Sequence, residues 1–102
     1  MADKNYTYTV LATGTQAVAA AGTPETLVSS STLARMVLIQ AYPGNNDNVV
    51  VGDADIVATA GSERGIVLVP GATVELRVKD LQDIYVDSVV NAEGVSFVYF
   101  NN

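Results

Sequence analysis

Residues 72–79 alternate strictly: Val74, Leu76 and Val78 fall on one face of an extended chain, and Glu75, Arg77 and Lys79 fall on the other. Side chains of a strand point to opposite faces in turn, so this segment offers one side to a core and the other to water. Immediately before it, Ile66, Val67, Leu68 and Val69 are apolar at every position, the pattern of a strand covered on both faces. Pro70-Gly71 separates the two runs and supplies the chemistry of a tight reversal. Residues 66–69 are therefore expected in the interior or under a neighbouring subunit. Pro70-Gly71 should be the corner where the chain leaves that layer, with Glu75, Arg77 and Lys79 outside.

Both kinds of strand recur. Met36 to Ile39 and Val49 to Val51 are apolar on both faces and are expected to be central, or covered by a loop or another subunit, whereas residues 6–12 alternate. Strands are predicted over residues 6–12, 16–20, 25–28, 33–42, 48–52, 56–58, 65–69, 72–78, 84–86 and 95–99. Gly14, Gly22-Thr23-Pro24, residues 43–46, Gly61, Pro70-Gly71 and residues 91–94 punctuate them. Seventeen valines, nine threonines and four isoleucines bias the chain toward extended structure, because β-branched side chains are stiff at χ1 and pack well on a pleat. Short strands at this spacing predict one all-β domain over residues 1–102, an antiparallel β-sandwich of jelly-roll type with about eight strands. Val95, Phe97 and Tyr99 share one face of the last strand, and with Phe100 this aromatic segment is expected to be pinned in the fold or in an interface.

Composition adds a second theme. Only 16% of the 102 residues are charged against 49% apolar, and the mean hydropathy is +0.28, where about 25% charged is usual. The surface must be built largely from Thr, Ser, Asn, Gly and Ala, as expected if part of it is covered by copies of itself or by a partner. A net charge of -6 from eleven acids and five bases argues against nucleic acid, whose phosphates demand Lys and Arg. No apolar run approaches the roughly 20 residues needed to cross a bilayer, so no membrane partner is expected. The opening residues lack the apolar core of a signal peptide, so the protein is expected to stay in the compartment where it is made.

Candidate chemistry is sparse. The chain has no Cys and no His, which removes thiolate zinc sites, disulfides and the commonest acid-base side chain near neutral pH. Asn45, Asn46, Asp47, Asp53 and Asp55 could gather hard oxygens for calcium, but they lack the order and distal Glu of an EF-hand and serve equally as turn chemistry. Asp80, Asp83 and Asp87, with Glu63, are the carboxylates available for glycoside hydrolysis, yet three acids beside a strand are commonly turn formers. No Gly-rich phosphate loop and no Gly-x-Ser-x-Gly elbow occur. The expectation is a protein without enzymatic activity, metal, cofactor or small-molecule ligand. Candidate interface residues are Tyr6 and Tyr8, which either cap the core or form a rigid aromatic patch, Arg77 and Lys79, which either face solvent or dock on an acidic partner, and Phe100.

The segment "VLVPGATVEL", followed by "DLQDIYVDS" and "EGVSFVYF", resembles small virion proteins of tailed bacteriophages, in which a strand, a Pro-Gly corner, an alternating strand, an Asp-Ile-Tyr-Val segment and a terminal aromatic strand follow in this order. With "VLIQA" and "VVVGD" upstream, the resemblance covers roughly residues 33–100. It implies a head decoration or cement protein, often trimeric, that binds the major capsid protein of the assembled shell and resides on the virion surface. A phage tail or head-fibre component and a small carbohydrate-binding module are the alternatives. The chain departs from some decoration proteins in having no obvious long N-terminal arm before Tyr6.

Overall fold

The structure is a computed structural model that describes residues 10–101. Tyr6, Tyr8 and most of the strand expected at 6–12 lie outside the described residues. Among the described residues eight strands follow one another: β1 (Val10–Ala17), β2 (Glu25–Thr26), β3 (Met36–Ala41), β4 (Val49–Gly52), β5 (Ile66–Leu68), β6 (Thr73–Leu76), β7 (Tyr85–Ser88) and β8 (Gly94–Asn101). They form two antiparallel four-stranded sheets, ordered β1-β8-β3-β6 and β2-β7-β4-β5. The protein is thus all-β, as its sequence pattern requires. Through β4 the chain changes sheet at every step. The β4–β5 pair stays within the second sheet, and the alternation then resumes.

The core lies between the sheets. From the first come Val37, Ile39, Ala41, Val95 and Phe97; from the second come Val49, Val51, Leu68 and Val86, with Val18, Leu27, Leu81 and Ile84 closing the ends. Fully burying a Val or Leu side chain stabilises by about 1.5–3 kcal/mol relative to exposure, so these facing rows are the main source of cohesion. Val95, Phe97 and Tyr99 do share the inward face of β8. Gly14 makes room for them: a Cβ there would lie 2.5 Å from Phe97 Cζ.

The corner at Pro70-Gly71 is a turn closed by Ala72 N–H donating to Val69 C=O at 2.9 Å, with Gly71 at φ 85. A positive φ at the third position, after Pro, is the type II pattern that glycine serves best. It carries the chain from β5 in the second sheet to β6 in the first, and Glu75, Arg77 and Lys79 point outward from there.

Met36 to Ile39 is central in its sheet, as expected, with Leu38 on the outer face 36% exposed. Three other expectations need correction. Residues 66–69 are not interior: β5 is the edge of its sheet, only Leu68 is buried, and Ile66 and Val69 are 40% and 55% exposed. Residues 16–20 form no separate strand, because β1 runs unbroken to Ala17 and then turns. Residues 56–58 form none either; Val57 makes a single bridge to Arg64, and Ile56 and Ala58 fold down as a lid. That lid explains β4. Val49 and Val51 enter the main core, while Val50 points the other way into a second cluster with Ile56, Ala58 and Tyr85.

Candidate functional site

Any chemistry in a chain without Cys or His would depend on its carboxylates. Asp87 is 1% exposed and accepts the N–H groups of Gly22 (2.9 Å) and Ser88 (2.8 Å). Glu93, 5% exposed, accepts the N–H of Asn46 and, at 3.1 Å, that of Asp47. Asp80 caps the short 3-10 turn Leu81–Asp83 by accepting from Gln82 N–H (2.9 Å), and it also takes Thr32 N–H (2.8 Å) and the Ser31 hydroxyl. These donors, the Ser31 hydroxyl foremost, hold its carboxyl below the ordinary value. Glu25 takes Ala19 N–H at 2.7 Å, and Glu63 takes Gly61 N–H at 3.1 Å.

These acids are loop clamps. A carboxylate that accepts backbone N–H groups satisfies donors that a loop would otherwise leave unpaired. The Asn45 to Asp55 segment is organised likewise: Asn45 exchanges side-chain hydrogen bonds with the backbone of Gly94 at 3.0 and 3.3 Å, Asp47 accepts Asn48 N–H, and Asp53 accepts Asp55 N–H. Among the described residues, no three acids assemble in a way that would hold a metal ion.

The two sheets differ on their outer faces. The second is covered in part by its own chain, since Ile56 and Ala58 seal Val50 and the turn at Gly22 sits on Asp87. Over the first sheet the register sets two rows side by side, Thr13–Val98–Leu38–Glu75 and Thr15–Ser96–Gln40–Thr73. Glu75 is the single charged residue in these rows, and it stands at the β6 edge. Between the rows runs a shallow groove of about 490 Å³, with hydroxyls, one amide and the aliphatic Leu38 and Val98 along it.

At one end of this face a second hollow of about 460 Å³ is lined by Ala34, Arg35, Met36, Arg77, Val78 and Lys79. Arg77 reaches Glu75 at 3.4 Å, and both side chains are open to solvent, so this ion pair contributes little. The structure thus brings Arg77 and Lys79 together with Arg35, which sequence reasoning missed. Phe100 lies half-buried opposite Met36 and its carbonyl accepts Arg35 N–H at 2.8 Å, which places it beside the same hollow. The signal for Arg35 was the pairing of residues 33–42 with 72–78, which a single sequence does not reveal. Comparison with known proteins finds no matching family model, no matching curated protein and no matching solved structure.

Proposed function

We propose that this chain is a structural protein of a bacteriophage virion, a decoration or cement protein that binds the assembled head shell as a homo-oligomer, with a trimer the favoured form. The observation that carries the proposal is the difference between the two outer faces: one sheet is partly covered by its own chain at Val50 and Asp87, while the other leaves open a central groove of hydroxyls, one amide, Leu38 and Val98, with charge confined to its edge and one end. Such a face suits burial against another protein, because few charges would need desolvation. Many modest contacts repeated by symmetry would then supply durable attachment without a reactive group. The pairing of β1 with β8, β2 with β7, β3 with β6 and β4 with β5 supports the jelly-roll form, an architecture that viral capsid domains use. The engagement of Asp80, Asp87 and Glu93 with backbone donors supports a non-catalytic role.

A carbohydrate-binding module would display coplanar exposed aromatics. Among the described residues Tyr42, Tyr85, Phe97, Tyr99 and Phe100 are all buried or half-buried, which favours the virion role over that alternative. Co-sedimentation of the purified protein with empty capsids and with host cell-wall glycans tests it. Binding to shells is expected; binding to glycans and not to shells overturns the proposal.

A further inference from the structure

We infer that the hollow between the start of β3 and the end of β6 is a docking site for an acidic protein segment, held by Arg35, Arg77 and Lys79. Three of the five cations of a chain with net charge -6 converge on this hollow, although like charges repel and eleven acids were available to pair with them. Among the described residues Arg35 and Lys79 form no ion pair, and Arg77 has only the solvent-open contact to Glu75. Asp80, next to Lys79 in the chain, is turned to Ser31, Thr32 and Gln82 and gives Lys79 no compensation.

The chemistry selects the ligand. Two guanidinium groups match the planar fork of carboxylates, and a flexible ammonium adds a third donor set. Ala34, Met36 and Val78 supply apolar surface between the cations, which suits side chains flanking an acidic residue better than a bare ion. Nucleic acid is disfavoured because a chain of net charge -6 repels a polyanion that extends beyond the hollow, whereas a short acidic segment spans only the three cations. The site is independent of the virion proposal: an acidic segment would bind here whichever protein bears it.

Calorimetric titration of the whole protein at low ionic strength tests the assignment, with a short poly-glutamate peptide, its poly-glutamine counterpart, a single-stranded oligonucleotide and inorganic phosphate as probes. Poly-glutamate should bind, more weakly as salt is added. Arg35→Gln combined with Lys79→Gln should weaken it by about five- to tenfold, whereas Arg64→Gln, outside the hollow, should leave it unchanged. No preference for poly-glutamate over poly-glutamine, tighter binding of the oligonucleotide or of phosphate alone, or an unaltered affinity in the double variant would each overturn the inference. If the double variant does not fold, amide shifts in the wild-type protein decide: perturbation centred on Arg35, Arg77 and Lys79 supports the site, and perturbation elsewhere overturns it.

Discussion

Replacing Glu93 with alanine removes the acceptor that ties the loop before β4 to the start of β8. The buried carboxylate takes N–H groups from Asn46 and Asp47, and hydrogen bonds to a charged group contribute about 1.5–3 kcal/mol each. Asn46 and Asp47 are exposed, so water regains part of that on substitution, and the Asn45 bonds to Gly94 persist. The expected net loss is about 2 kcal/mol, or about 10 °C in Tm for a domain of this size. Glu93→Gln keeps one acceptor oxygen and should cost about half as much. Urea unfolding followed by circular dichroism measures both. A loss below about 0.5 kcal/mol for Glu93→Ala, the range of an ordinary surface substitution, would refute the clamp.

Gly14→Ala should destabilise by about 1–3 kcal/mol through overpacking against Phe97, and the penalty should shrink in a Phe97→Leu background if that ring is the obstacle. Ala92 is held at φ 68, a conformation that costs most residues about 1–2 kcal/mol; Ala92→Gly should therefore raise thermal stability slightly, and a fall would contradict the strain. Because donors lower the Asp80 carboxyl below its ordinary 3.8, its contribution is present above that pH and disappears as pH falls through the lowered folded value. Asp80→Ala should accordingly be less stable than wild type at neutral pH, with the difference closing in strong acid; a constant gap would contradict the assignment. Val67→Lys, on the exposed edge strand β5, should leave the urea midpoint nearly unchanged, as an interior valine would not.

Much of the fold was legible because strand alternation is a local signal. The inward row Val95, Phe97 and Tyr99, the Pro70-Gly71 corner and the outward Glu75, Arg77 and Lys79 all follow from period-two spacing. The misjudged burial of residues 66–69 has one cause: an unbroken apolar run states that a strand is apolar on both sides, not what covers it. Val49 to Val51 and Ile66 to Val69 look alike in sequence, yet the first is sealed by Ile56 and Ala58 while the second lies at a sheet edge. Nor was the role of the acids legible. Glu93 meets Asp47 across 46 residues of chain, and Arg35 meets Arg77 and Lys79 only through the β3–β6 pairing. Both contacts depend on sheet order, which periodicity does not encode.

The proposed role requires that the central, sparsely charged part of the outer face of the β1-β8-β3-β6 sheet be covered by a second copy of this chain. Sedimentation velocity across a range of concentrations, comparing wild type with Leu38→Glu, tests it most directly, since Leu38 lies at the centre of that face beside Val98 and Glu75. Wild type should associate as concentration rises, while Leu38→Glu should remain monomeric and still unfold in a single cooperative transition. A wild-type protein that stays monomeric at every concentration, or a variant that associates equally well, would contradict it.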